Sequence, residues 1–248
     1  MITYFYVEPK NVDKNFLKIE GEEAKHICQV LRKKEGEVIE AVDGEGIKYQ
    51  VLITNTGRDW VQGKILTQIR KENEPLTHLT LAQGLIKGVR MEFLVEKITE
   101  IGVFSIIPLI TEKSVVKLEK DKREIARLNR WKRIAISGMK QSLRSRFTEI
   151  QKPTLFQELL SKVRGYDLAL IACQTKRSQS LKGIIDAKKR LKKILLLVGS
   201  ESGFTQGELD LALKSGVIPI SLGPRRLRSE TAGIVFSSLV LYELEDLG

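Results

Sequence analysis

The sequence is 248 residues long, 42% hydrophobic and 29% charged: enough for one large domain or two modest ones, and too polar for a membrane-embedded chain. The 42 Lys and Arg residues against 31 Asp and Glu leave a net charge of +11, which points to a polyanionic partner, nucleic acid before a membrane surface. The cysteines Cys28 and Cys173 and the histidines His26 and His78 offer neither a disulfide framework nor a metal-ligand spacing, and no apolar run approaches the ~20 residues of a spanning helix.

In chain order, residues 2–7 alternate as a strand and lack the features of a signal peptide, so a cytoplasmic location is expected. Residues 21–32 read as a short helix. Strands 38–42 and 47–52 flank Asp43-Gly44-Glu45-Gly46, a hairpin turn. Another strand covers 60–69, so the first 72 residues form a small β-rich barrel that ends in a polar linker at Pro75. From there the pattern alternates. Strands are expected at 79–82, 105–110, 168–172, 194–198 and 218–222. Helices are expected at 91–101, 125–143, 181–191, 208–214 and 231–244. Alternation of this kind implies a mostly parallel sheet covered on both faces, over 73–248. Between Glu112 and Arg146 lie 12 basic and 4 acidic residues, a local excess of +8 that marks an RNA-backbone surface or a solvated helix face.

In an open α/β sheet, ligands bind beyond the carboxyl ends of strands. Two such ends are glycine-rich here: Leu197-Val198 leads into Gly199-Ser200-Glu201-Ser202-Gly203, and Ile220-Ser221-Leu222 leads into Gly223. Glycines let backbone amides and carbonyls approach a ligand, although both loops could be tight turns and nothing more. Neither is a phosphate loop nor a dinucleotide fingerprint, which argues against a nucleotide hydrolase or a dehydrogenase. Ser229-Glu230-Thr231 reads equally as a helix cap.

The run from Leu222 to Ala232, Leu-Gly-Pro-Arg-Arg-Leu-Arg-Ser-Glu-Thr-Ala, resembles the signature of the bacterial 16S ribosomal RNA uridine N(3)-methyltransferase family of the SPOUT superfamily. Segments 26–32 with Gly36-Glu37, 87–92 with 97–103, 130–135 with Gln141-Ser142-Leu143-Arg144, and 199–204 agree in order and spacing. Two departures stand out. Ser200 and Ser202 replace the proline and middle glycine of the usual Gly-Pro-Glu-Gly-Gly loop, and 1–7 lacks the arginine common near the family's N-terminus.

The resemblance implies a PUA-like barrel joined to a SPOUT methyltransferase domain with a C-terminal trefoil knot. It implies a homodimer using S-adenosylmethionine on 16S rRNA within the 30S subunit, with no metal and no membrane. The expected cofactor residues are Leu197, Val198, Gly199, Ser200, Glu201 and Gly203 from the first loop. From the second they are Ile220, Ser221, Leu222, Gly223, Leu227, Arg228, Thr231 and Ala232. Arg228 and Glu230 are the candidates for stabilising or deprotonating a uridine imide, with a phosphate or dimer contact and a helix cap as their alternatives. Arg32, Lys87, Arg90, Lys140, Gln141, Arg144, Arg146 and Arg226 are the expected RNA contacts. A methyltransferase acting on transfer RNA and a non-catalytic RNA-binding relative are the competing readings.

Overall fold

The computed structural model describes residues 3–114, 122–174, 179–186 and 191–247. Its contacts divide the chain into two compact units, Met1–Glu74 with Ile136–Phe147, and Pro75–Ala135 with Thr148–Gly248. Residues 136–147, which follow the expected boundary at 73, group by contact with the first unit.

In the first unit, strands β1 (Tyr4–Tyr6), β2 (Phe16–Glu20), β3 (Val38–Val42), β4 (Ile47–Thr56) and β5 (Trp60–Arg70) form one sheet in the order β1-β3-β4-β5-β2. The pairs are antiparallel except for β1 beside β3. Alternation sends Ile39, Ala41, Tyr49, Val51 and Ile53 into a core closed by Leu17, Ile19, Phe5 and Val61. Helix α1 (Glu22–Lys25) runs into a wider π turn at His26–Val30. The hairpin turn is built on Asp43, whose Oδ1 accepts the amides of Glu45 (2.8 Å) and Ile47 (3.0 Å), while Gly44 and Gly46 take φ of +75° and +111°.

The second unit carries helices and parallel strands. These are β6 (His78–Gly84), α2 (Val89–Glu100), β7 (Ser105–Ile110), α3 (Lys122–Gln141), β8 (Glu149–Ile150), β9 (Thr154–Leu155), α4 (Phe156–Ser161), β10 (Leu168–Ala172), α5 (Leu181–Asp186), β11 (Lys193–Val198), α6 (Gln206–Lys214), β12 (Ile218–Ile220) and α7 (Ser229–Glu243). The strands order β12-β10-β11-β6-β7-β8, with β9 also on β7, and every pair is parallel. Five consecutive residues of β11, Ile194 to Val198, are buried, as an inner strand covered on both faces requires. A capping box starts α6: the Thr205 hydroxyl accepts the Glu208 amide (3.2 Å) and the Glu208 carboxylate accepts the Thr205 amide (2.8 Å).

Only part of α3 belongs to the second unit. Its last turns, with Ile136 and Met139, pack with Leu143 and Phe147 on Tyr4, Tyr6 and Val42 of the first. Beyond its end Leu143 adopts φ +57°. The carboxylate of Glu74 then gathers the segment: Oε2 accepts Arg144 Nη2 (2.6 Å) and Nε (3.2 Å), and Oε1 accepts the amides of Ser145 (2.9 Å) and Arg146 (2.8 Å).

Candidate functional site

The register of the second unit aligns four strand ends. Gln83 of β6 faces Val198 of β11, Ile171 faces Leu197, and Ala172 of β10 faces Ile220 of β12. The chain therefore leaves β11 and β12 side by side with β10, and both glycine loops open over the same edge. A cleft of about 820 Å³ lies there, sharing wall residues with a recess of about 360 Å³.

Most of the expected cofactor residues meet in this space. Val198, Gly199, Ser200, Glu201 and Gly203 line the main cleft with Leu227, Arg228 and Ala232, and Leu222 and Gly223 line the recess. Leu197 and Ile220 are buried behind the wall and are absent from both linings, as are Ser221, whose hydroxyl accepts the Gly223 amide (3.3 Å), and Thr231.

Close backbone approach explains the first glycines. A Cβ on Gly84 would fall 2.3 Å from the Ser200 nitrogen, and one on Gly199 would fall 2.8 Å from Gly203 Cα. Gly203 and Gly223 instead hold φ of +68° and +102° with open space where a Cβ would stand, so backbone conformation is what selects glycine there.

The two catalytic candidates separate. Arg228 is exposed, holds an extended backbone before α7 and lines the cleft. Glu230 is buried, its Oε2 has no hydrogen-bond partner among the described residues, and it lines neither space.

Of the expected RNA contacts, Arg90 and Arg226 line the cleft, Arg90 forming an ion pair with Glu201 (3.1 Å). Lys87, Arg32 and Gln141 are exposed. Lys140 is paired with Glu23, and Arg146 donates to the Glu45 carbonyl. Arg144 is 3% exposed and locked on Glu74, so it does not present its guanidinium to an external phosphate. The basic stretch 112–146 is described except for 115–121, which lie outside the described residues.

Sequence reasoning misses several residues of the site. Ala172, Cys173 and Gln174 from the end of β10, with Phe204 and Leu209, complete the walls. Gln174 Nε2 donates to the Gly223 carbonyl (2.7 Å), and Gln83 Nε2 donates to Ser229 Oγ (2.7 Å) and more weakly to the Gly199 carbonyl (3.4 Å). The position of both glutamines at the carboxyl ends of strands is the signal that could find them. Among the described residues no group of three or more His, Cys, Asp or Glu could hold a metal, and no helix is long and apolar enough to cross a membrane.

A parallel sheet with paired glycine loops at its carboxyl edge, in a chain that also carries a small β-rich unit, defines a class. The RNA methyltransferase domain family model matches residues 72–241, and the RNA methyltransferase PUA domain model matches 19–66. The chain is 29% identical over 231 residues to the ribosomal RNA small subunit methyltransferase E of Bacillus subtilis, spanning 92% of this chain and 90% of that protein. It is 31% identical over 173 residues to that of Mesomycoplasma hyopneumoniae, with 70% and 73% covered. The solved ribosomal RNA small subunit methyltransferase E of Neisseria gonorrhoeae, bound to S-adenosylmethionine, superposes with a TM-score of 0.85 at 29% identity over 98% of both chains. The chain belongs to the ribosomal RNA small subunit methyltransferase E family.

Proposed function

We propose that this chain transfers the methyl group of S-adenosylmethionine to small-subunit ribosomal RNA, at the imide nitrogen N3 of a uridine. The observation that carries this reading is the cleft at the strand ends, walled by both glycine loops. Its residues suit the cofactor. Val198, Leu227 and Ala232 offer apolar surface for an adenine, and the loops offer backbone groups for its edge. Ser200 Oγ is buried in the wall with no hydrogen-bond partner among the described residues, a polar atom a ligand could satisfy.

When bound, the cofactor supplies an electrophilic methyl on sulfur. The chain's own contribution is alignment, an effect worth about 7–11 kcal/mol when two reactants are held in register. The uridine imide N–H passes its proton to solvent water as N3 forms its bond to the methyl and the methyl–sulfur bond breaks, and a cation beside it stabilises the developing anion. Arg228, exposed on the cleft wall, suits that role. Glu230, buried in the first turn of α7, suits orienting the start of that helix better than touching a base. Arg226 and Arg90 offer phosphate contacts at the same wall, and the exposed Lys87 and Arg32, outside its lining, offer further ones.

The reading includes a cytoplasmic homodimer working on 16S rRNA in the 30S subunit, without a metal, and a knotted path for the segment after β12. The exposed apolar side chains Val89 and Phe93 of α2 and Leu239 and Tyr242 of α7 support an interface on the second unit. Purified protein with labelled S-adenosylmethionine should label 30S subunits or naked 16S rRNA, with the label in 3-methyluridine on nucleoside analysis. Label in transfer RNA alone would refute it.

A further inference from the structure

At the cleft wall, three polar groups close a triangle, with Gln83 behind it and Gly199 and Ser229 lining it. Gln83 is fully buried at the end of β6, and its Nε2 donates to Ser229 Oγ (2.7 Å), to the Gly199 carbonyl (3.4 Å) and to the Gly84 carbonyl (3.3 Å). Ser229, the first residue of α7, donates its own hydroxyl to the same Gly199 carbonyl. Two carbonyl acceptors fix which end of the carboxamide is the nitrogen. Its Oε1 is then buried without a partner among the described residues and faces Gly233, where a Cβ would fall 2.5 Å from it.

A buried carboxamide with an unsatisfied oxygen is costly, by the desolvation of that group. The apolar core around Gln83 gives no reason to tolerate it; the position of its acceptors does. Gly199 opens the first glycine loop. With its carbonyl held by two donors, the trans peptide to Ser200 has a fixed plane, and the Ser200 amide is turned to the opposite side. Gly199, Ser200 and Ser229 all line the cleft, as does Arg228 beside Ser229; Gln83 does not. One side chain thus ties the aim of the first loop to the start of the helix that follows the second.

We propose that Gln83, acting with Ser229, is a positioning residue for the methyl-donor site: it touches neither substrate nor cofactor and sets the peptide plane that does. The proposal rests on the reading of the cleft as the S-adenosylmethionine site.

The test is calorimetric binding of S-adenosylmethionine to wild type, Gln83→Met, Ser229→Ala, Ser229→Thr and the double variant Gln83→Met/Ser229→Ala. Gln83→Met keeps the length and loses the donor. Loss of such a hydrogen bond corresponds to about a tenfold weaker Kd. The double variant should lose little more than either single one, since the groups act through one carbonyl. Ser229→Thr keeps the hydroxyl and should bind as wild type. KM for S-adenosylmethionine should rise in Gln83→Met while kcat at saturating cofactor stays within about twofold, a split that a general loss of fold would not give. If Gln83→Met does not fold, Gln83→Leu, which also lacks the donor, carries the measurement, because Ser229 lines the cleft and its loss could act directly. Wild-type Kd in folded Gln83→Met or Ser229→Ala overturns the proposal, as does strict additivity in the double variant. A wild-type protein that binds no S-adenosylmethionine removes the cofactor reading itself, and the proposal with it.

Discussion

Arg144 shows how far one side chain can depart from its sequence context. It sits in Lys-Gln-Ser-Leu-Arg-Ser-Arg, where a nucleic-acid contact is the natural reading, yet its guanidinium and the Glu74 carboxylate are only 3% and 6% exposed. Removing one member of a buried pair strands the other charge. Arg144→Ala should therefore lower the unfolding free energy by about 3–5 kcal/mol, read from urea melts, and change RNA affinity of the folded protein little. Unaltered stability with weakened RNA binding would restore the surface role. Nothing local in the sequence announces the partner, because Glu74 is brought to Arg144 from across the chain by the fold of the first unit.

Tyr49 offers a pH-dependent test at the same scale. Burial, then the Asp43 carboxylate that its hydroxyl meets at 3.2 Å, pushes its pKa up from 10.0 to about 12. The folded-state value is the raised one, so this contribution is complete below pH 10 and is lost as pH climbs towards 12. A shift of that size corresponds to about 2–3 kcal/mol. Tyr49→Phe should flatten the fall of stability across that window and remove one late-titrating group from the tyrosinate absorbance, where burial also raises Tyr4 and Tyr6. Equal slopes in the two proteins would refute it.

At the scale of elements, the glycine loops give two substitutions with different signatures. Gly223→Val meets no neighbour but must adopt φ +102°, a strain of about 1–3 kcal/mol, and it fills the recess. It should abolish S-adenosylmethionine binding in calorimetry while circular dichroism remains native. Gly84→Ala places a methyl on the Ser200 backbone, so it should lower both the melting temperature and cofactor affinity. Retained affinity in Gly223→Val would take the second loop out of the site. A third substitution, Thr205→Ala, removes the hydroxyl of the α6 capping box and should cost about 1 kcal/mol in a urea melt, without effect on cofactor Kd.

The elements legible in the sequence are those with strong periodicity. The apolar runs of β7, β10 and β11 and the spacing of Met91, Leu94, Val95 and Ile98 in α2 predict their elements within a few residues. Strands β8 and β9, two residues each, carry no period at all, and they escape a reading by pattern along with α4. Strand β2 escapes it because its outward positions, Phe16, Lys18 and Glu20, mix apolar with charged residues and blur the alternation. The expected helix 21–32 splits at His26 into a short α turn and a π turn. The expected helix 181–191 reaches Asp186, with 187–190 outside the described residues. Both glycine loops are legible from composition; the glutamines that hold their carbonyls are not, since a lone Gln at a strand end has no distinguishing neighbour.

For the whole molecule, charge and assembly are the quantities to measure. Lys87 and Arg133 are exposed, and if both meet phosphates, Lys87→Ala/Arg133→Ala should flatten the salt dependence of 16S rRNA binding by roughly 0.7–0.9 log units for each phosphate no longer neutralised. An unchanged slope would leave these charges to solvent. Phe93→Asp/Tyr242→Asp should shift sedimentation from dimer to monomer if the exposed apolar residues of α2 and α7 form the interface; a wild type that sediments as a monomer would refute the dimer.

The discontinuity of the first unit has a consequence for timing. Its sheet is complete in sequence by Arg70, but Met139 and Phe147, which cover Tyr4 and Val42, and the amides that donate to the Glu74 carboxylate are made only after all of 75–135. A chain emerging from the ribosome therefore carries a half-finished barrel, with an apolar face open and a carboxylate lacking its donors, while the second unit's first strands are already being made. Closing a loop of that length adds little entropic cost, yet it sets an order of events. A fragment ending at Glu74 should melt well below the same fragment joined by a short flexible linker to 136–147, and that joined fragment should fold without the rest of the chain.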